Sequence, residues 1–96
     1  MMELNIHDNF NDAVDLLWVL SSEIRLKILQ LINGNKEYIL KDLAPIIGCG
    51  VSNLSQHVKI LEEAGLLEKI KIQDGSNSKI LVPIYQEVFV KLTESE

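Results

Sequence analysis

The sequence predicts a mainly α-helical fold with one β-hairpin, on three observations. Apolar residues recur every three or four positions in four stretches between residues 9 and 64, which is the period of an amphipathic helix. Two β-prone runs, 67–72 and 79–84, flank a turn-rich segment. The chain has 96 residues, of which 47% are hydrophobic, and this is enough for one small core. We therefore expect residues 1–96 to form a single domain.

The first two helices are predicted over residues 9–20 and about 22–33. One face of the first helix repeats apolar side chains at helical spacing, namely Phe10, Val14, Leu17 and Trp18. A separate face carries the acidic side chains of Asp8, Asp12 and Asp15. Ser22 and Glu23 supply an N-cap and an acidic first turn to the second helix, and Gly34 helps to end it.

A third helix, a glycine-containing turn and a fourth helix follow. Pro45 lacks an N–H and clashes with the carbonyl four residues back, so the third helix is expected to start near Lys41 or Asp42. After the turn at residues 48–50, the fourth helix is predicted over residues 51–64 with a buried face of Leu54, Val58 and Leu61. Its outward side chains are mostly small and polar: Ser52, Asn53, Ser55, Gln56 and Lys59. This pattern is typical of a helix-turn-helix, whose second helix fits the DNA major groove.

A hairpin and a closing helix complete the predicted elements. Along the two hairpin runs, lysines alternate with isoleucines, the lysines being Lys69, Lys71 and Lys79. One hairpin face is therefore expected to pack through Ile70, Ile72 and Ile80 while the other offers ammonium groups. Tyr38 and Ile39 are expected to add a short strand before the third helix. Residues 85–94 are predicted to form a short helix that presents Tyr85, Val88, Phe89 and Leu92.

Charge and composition limit the function. A net charge of −5 argues against a nucleic-acid partner, because DNA-binding domains commonly carry a basic patch. The acidity is uneven, however: residues 1–24 hold five acids and no lysine or arginine, whereas residues 36–82 hold six lysines and six acids. No apolar run reaches the roughly 20 residues of a membrane span, and no signal peptide is evident. The one cysteine allows no internal disulfide, so we expect a soluble cytoplasmic protein without membrane contact.

This order of elements is that of a winged-helix domain, and the residues resemble the ArsR-type family of prokaryotic transcriptional regulators. One part of the likeness is Leu20-Ser21-Ser22-Glu23-Ile24-Arg25-Leu26-Lys27-Ile28-Leu29, which is similar to a family signature. The other is Leu54-Ser55-Gln56-His57-Val58-Lys59-Ile60-Leu61-Glu62-Glu63-Ala64-Gly65-Leu66, which is similar to the family's recognition helix. With the hairpin as a wing, the resemblance covers roughly residues 16–85.

The resemblance implies a homodimer that binds double-stranded DNA. Ser52, Ser55 and Gln56 would read bases, Asn53 and Lys59 would touch nearby backbone or bases, and the wing lysines would lie along phosphates. The full predicted DNA-binding set is Lys41, Ser52, Asn53, Ser55, Gln56, Lys59, Lys69, Lys71 and Lys79. The first and last helices would join the protomers through Phe10, Val14, Leu17, Trp18, Val88, Phe89 and Leu92.

Two departures from the family shape the functional hypothesis. The stretches where metal-sensing members place cysteines, histidines and acids read Leu40-Lys41-Asp42-Leu43-Ala44 and Gln86-Glu87-Val88-Phe89-Val90, so we expect neither metal nor cofactor. Gly50 and Val51 stand where the family usually has a capping hydroxyl residue and a glutamine. The leading hypothesis is a sequence-specific dimeric regulator; the alternative is a winged-helix module that binds protein instead of DNA. No nucleophile-base pair, phosphate loop or metal cluster suggests an enzyme.

Three side-chain roles stay open. Cys49 fits a buried apolar turn residue better than a redox switch, although a helix N-terminus can lower a thiol pKa. His57 fits a packing or phosphate-contacting residue better than a metal ligand. The aromatic residues Phe10, Trp18 and Phe89 fit a dimer interface better than an effector pocket.

Overall fold

The structure is a computed structural model, and it describes residues 1–92 of the chain. The elements follow in the order β1 (Met2–Asn5), α1 (Phe10–Leu20), α2 (Glu23–Ile32), α3 (Leu40–Ile47), α4 (Val51–Glu63), β2 (Leu67–Lys71), β3 (Lys79–Pro83) and β4 (Val88–Lys91). Four helices and a small antiparallel hairpin confirm the predicted class, a mainly α winged helix-turn-helix. No helix within the described residues is long and apolar enough to span a membrane.

One apolar core joins the helices to the hairpin. The predicted buried face of α4 is confirmed. α1 instead buries Ala13, Leu16 and Val19, so the apolar face predicted for its helix lies outside the core. The core consists of Leu16, Val19, Ile28, Ile32, Leu43, Ala44, Leu54, Val58, Leu61, Leu66, Leu67 and Leu81. α4 alone contributes three fully buried side chains at spacings of four and three residues, so its opposite face is left outside the core.

The turn between α3 and α4 uses a backbone conformation that residues with a Cβ rarely adopt. Gly48 ends α3 with a φ of 86°, in the left-handed region where glycine carries no steric penalty. The backbone N–H groups of Gly48 and Cys49 both donate to the carbonyl of Ala44, at 2.8 and 3.1 Å. This closure turns the chain at once into α4, whose N-cap is Gly50.

α3 begins at Leu40, slightly earlier than expected, so Pro45 lies inside the helix. Proline has no N–H to donate to the carbonyl four residues back, which is that of Lys41. Pro45 and Lys41 are both exposed, so water can bond the freed carbonyl. The longer helix is therefore tolerated at this surface position.

The hairpin pairs β2 with β3 in the register Leu67↔Pro83 to Lys71↔Lys79. The predicted short strand before α3 is present as a single bridge between Ile39 and Ile80. It is supported by a hydrogen bond from the N–H of Leu81 to the carbonyl of Tyr38, at 2.9 Å. The hairpin is thus attached to the segment that leads into α3, which fixes the wing relative to the helix-turn-helix.

The two ends of the described chain form a parallel pair of strands that was not predicted. β1 pairs with β4 in the register Met2↔Val88 to Asn5↔Lys91. The predicted helix over residues 85–94 is therefore wrong for its described part, and residues 93 and 94 lie outside the described residues. Val88 and Val90 are half-buried against the core while Phe89 is exposed, which is the alternation of a strand. Two β-branched valines favour this choice, because branching restricts side-chain rotation in a helix.

Candidate nucleic-acid interface

The outward face of α4 presents the polar side chains that the sequence predicted. Ser52, Ser55, Gln56 and Lys59 follow the spacing i, i+3, i+4, i+7, so they line one helical face opposite the core. Ser52, Gln56 and Lys59 are exposed, as is the neighbouring Asn53, and Ser55 is half-buried. The hydroxyl, amide and ammonium groups of one exposed helix face can reach base edges and phosphates in a DNA groove.

A buried arginine on α2 holds α4 in place. Arg25 is only 6% exposed, and its guanidinium donates to the carbonyls of Val19 and Trp18 at the end of α1. Its Nη1 lies 3.0 Å from Nδ1 of His57, which is on α4. The guanidinium also stacks 4.8 Å from the centre of the Trp18 ring. One side chain therefore ties together α1, α2 and the helix that bears the polar face.

The contact fixes the protonation of His57. Arginine carries only donors, so Nδ1 of His57 must accept and the neutral ring keeps its proton on Nε2. Burial lowers the pKa of His57, and the Arg25 guanidinium lowers it further. The role of Arg25 was not predicted. Its spacing from Ile28 and Ile32 does indicate it, because the three residues lie on the same buried face of α2.

The lysines of the wing lie on the hairpin face that packs against the core, not on the opposite face. Lys71 pairs with Lys79 and Lys69 pairs with Leu81, so these side chains point the same way as the buried Leu81 and Leu67. The predicted division between a lysine face and a packing face is therefore wrong. The opposite face holds Ile70, Ile72 and Ile80, of which Ile70 is 47% exposed. The hairpin extends past the core, so a face that is apolar at its base becomes charged towards its tip.

A groove between the wing and the helix-turn-helix brings three predicted lysines together. It has a volume of about 290 Å³, and its lining includes Lys41 at the start of α3, Lys69 on β2 and Lys79 on β3. Lys69 also forms an ion pair with Glu62 at the end of α4, with a distance of 3.5 Å between Nζ and Oε1. Lys71 is exposed on the same hairpin face. Three of the predicted cations thus line one groove, which Val51 at the start of α4 also borders.

Most of the predicted dimer residues are exposed. On α1, exposure is 61% for Phe10, 49% for Val14, 50% for Leu17 and 59% for Trp18, which form one continuous apolar stripe. Phe89 and Leu92 are exposed near β4, at 47% and 70%. Val88 differs, since it is half-buried and packs against the core. A strand places Val88 and Phe89 on opposite faces, whereas the predicted helix had placed them together.

Two further side chains have a defined place. Cys49 is half-buried and packs against the core, as expected of an apolar turn residue. His7 is exposed near the chain end, and its backbone N–H donates to Oδ1 of Asn5 at 2.8 Å. Within residues 1–92, no group of three or more histidine, cysteine or acidic residues is arranged to hold a metal ion.

A polar helix behind a glycine turn, flanked by a lysine-bearing hairpin, defines the class of winged helix-turn-helix proteins that bind DNA. Comparison with known proteins agrees: residues 20–70 match the model of the helix-turn-helix domain, and the chain belongs to this family. The matched residues extend from the end of α1 through α4 to β2. No curated protein sequence matches the chain.

The solved structures that are similar to this one include HlyU and NolR. Reduced HlyU from Vibrio cholerae superposes with a TM-score of 0.71 at 26% identity, over 84% of this chain and 81% of that chain. NolR from Sinorhizobium fredii superposes with a TM-score of 0.72 at 22% identity, over 83% of this chain and 76% of that chain, and shows the fold. The likeness thus extends beyond the helix-turn-helix to most of the chain.

Proposed function

We propose that the chain is a cytoplasmic, homodimeric transcription regulator of a prokaryote that binds specific DNA sequences. The observation that carries this proposal is the outward face of α4, where Ser52, Gln56 and Lys59 are exposed beside a groove lined by lysines. The family and the fold support DNA as the partner. The negative charge lies mainly in the first 24 residues, away from this surface.

Each part of the surface has a distinct task. The amide of Gln56 can form two hydrogen bonds to an adenine edge in the major groove, which is worth about 1–3 kcal/mol of discrimination. Ser52 and Ser55 can donate to or accept from other bases, and Lys59 can reach base edges or phosphate. Lys71 and Lys79 on the wing neutralise phosphates, which raises affinity for any sequence. Specificity therefore comes from α4 and sequence-independent affinity from the wing.

The apolar stripe of α1 supports a two-fold dimer. A small protein seldom leaves four large apolar side chains exposed on one helix without a partner. An isologous contact through Phe10, Val14, Leu17 and Trp18 would bury this stripe and place two α4 helices on the same side of the DNA. The operator is then an inverted repeat with half-site centres about 34 Å apart.

The test is fluorescence anisotropy with a fragment from upstream of the gene and with random duplex, at two salt concentrations. We expect at least 100-fold preference for a specific site and two protomers per site. If the upstream fragment and random duplex bind equally, selection from a random DNA pool shows whether the protein prefers another sequence. A pool that yields no enriched sequence would contradict sequence-specific binding.

A second function is favoured by a specific observation, the apolar character around the start of α4. Ile46 is 53% and Val51 is 47% exposed beside the polar face, and Gly50 gives α4 no side-chain cap. Such a surface, on a chain of net charge −5, suits a protein partner. In that case the protein forms no complex with sheared DNA even at low salt, and a stable protein partner co-purifies from lysate.

A further inference from the structure

We propose that a groove between α1 and the end of α4 binds a lipophilic organic cation. The groove has a volume of about 620 Å³ and lies between β1, the middle of α1 and the C-terminal half of α4. This is within the range of about 300–1,000 Å³ that is usual for small-molecule sites. It is separate from the lysine groove, because the two share no lining residue.

The floor of the groove is apolar. Met2 and Leu4 contribute from β1, Leu16 and Val19 from α1, and Ile60 from α4. The pairing of β1 with β4 holds the two β1 side chains against the core and so forms one wall. A ligand bound here would have to offer a largely apolar body, because the floor supplies no charged group for it.

The rim of the groove carries charge of one sign only. Asp12 and Asp15 lie one turn apart on α1, and Glu63 lies across from them on α4. No lysine, arginine or histidine is among the described residues that line the groove. These carboxylates form no cluster that could hold a metal ion within residues 1–92. Spread around an apolar floor, they match a diffuse positive charge on an apolar body better than a small inorganic cation.

The groove and the dimer stripe occupy different faces of α1. At about 100° per residue, Phe10, Val14 and Leu17 fall on one side of the helix, and Asp12 and Asp15 fall on another. A second copy docked on the stripe would therefore share only Trp18 with the groove lining. Trp18 lies at the border between the stripe and the groove, because it is exposed and also lines the groove. Of the three aromatic residues considered from the sequence, it is the only one in the groove lining.

The binding test uses tetraphenylphosphonium and tetraphenylborate as probes. These ions have the same shape and apolar surface but opposite charge, so they separate charge complementarity from apolar burial. Trp18 is the only tryptophan in the chain, and its fluorescence reports occupancy directly. We expect saturable one-to-one binding of the phosphonium, measured by calorimetry and by Trp18 fluorescence, and no saturation with the borate. Equal binding of both ions, or binding of neither, would overturn the proposal.

Matched variants show whether binding occurs at this groove rather than on any acidic surface. Asp12→Asn with Asp15→Asn removes two rim charges, and each loss should weaken phosphonium binding about threefold, or about tenfold together. The control is Glu3→Gln with Asp8→Asn, which removes the same charge from exposed residues outside the lining. We expect less than a twofold change for the control. Equal weakening in the two double variants would refute the site, and circular dichroism melts confirm that both are folded.

Discussion

Replacing Arg25 by methionine tests how α4 is held. The substitution keeps an unbranched apolar stem and removes donors to the carbonyls of Trp18 and Val19 and to Nδ1 of His57. Hydrogen bonds from a charged group are worth about 1.5–3 kcal/mol each, and a buried acceptor left without its donor costs about 1–3 kcal/mol. Removing a buried charge recovers part of this loss, because its desolvation is no longer needed. We therefore expect a net loss of about 3 kcal/mol.

The assay is thermal unfolding at pH 7.5, followed by circular dichroism. For a domain of this size, about 3 kcal/mol corresponds to a fall in Tm of about 12 °C or more. The control is Lys27→Met, on the same helix and with the same charge change. Lys27 is exposed and has an ion pair with Glu23 at 3.1 Å, so its loss should cost less than about 1 kcal/mol. A melt of Arg25→Met within 2 °C of the unmodified protein would refute the role assigned to the buried guanidinium.

Three other outcomes follow from the described contacts. Because the pKa of His57 is lowered, the folded protein binds fewer protons than the unfolded chain as pH drops below about 6.5. The free energy of unfolding should therefore fall over this range, by at most about 1.4 kcal/mol per pH unit, until the pKa of the folded protein is passed. Denaturant titrations between pH 7.5 and 5 should show a smaller fall in the free energy of unfolding for His57→Gln than for His7→Gln. The same pH dependence in both variants would contradict the role of His57. Gln56→Ala should relax discrimination at one base position by about 1–3 kcal/mol, whereas Lys71→Ala should weaken all sequences and lower the salt slope by about 1. Fluorescence anisotropy measures the affinity of both variants for specific and for random duplex, and the reference is Gln30→Ala on the exposed side of α2. If Gln56→Ala lost the same affinity for both duplexes, base reading by Gln56 would be excluded. Leu17→Glu should convert a dimer to a monomer in sedimentation velocity while Ile70→Glu on the wing should not, and an unchanged Leu17→Glu dimer would place the interface elsewhere.

The helices and the hairpin were predictable because their signals are local. The apolar period of α2 and α4, the glycine turn before α4 and the turn-rich segment between β2 and β3 each depend on neighbours a few residues apart. The polar face of α4 follows from the same period, so the sequence alone predicts that Ser52, Gln56 and Lys59 share it.

The terminal strands were not predictable in this way. The spacing of Tyr85, Val88, Phe89 and Leu92 fits a helix, but residues 88–91 fit a strand equally well. The period of such a short apolar run does not distinguish the two. The choice depends on β1, which lies at the opposite end of the sequence.

Two features of the site depended on contacts between elements. The lysine face of the wing was misplaced because alternation shows which residues share a face but not which face meets the core. Arg25 sits in an apolar repeat, and only its contacts with α1 and α4 show why a charge is kept there.

The parallel pairing of β1 with β4 makes residues 6–87 one closed loop. Strand ends meet through hydrogen bonds from Met2 to Glu87 and from Ile6 to Lys91, at 2.9 and 3.0 Å. Closing a loop that long costs chain entropy, and a sheet of two strands offers few bonds in return. The pair should therefore open and close many times before the protein unfolds, as a separate cooperative unit. Backbone amides of β1 and β4 would exchange with deuterium long before those of α4, and each opening would briefly remove the strand wall from the α1–α4 groove.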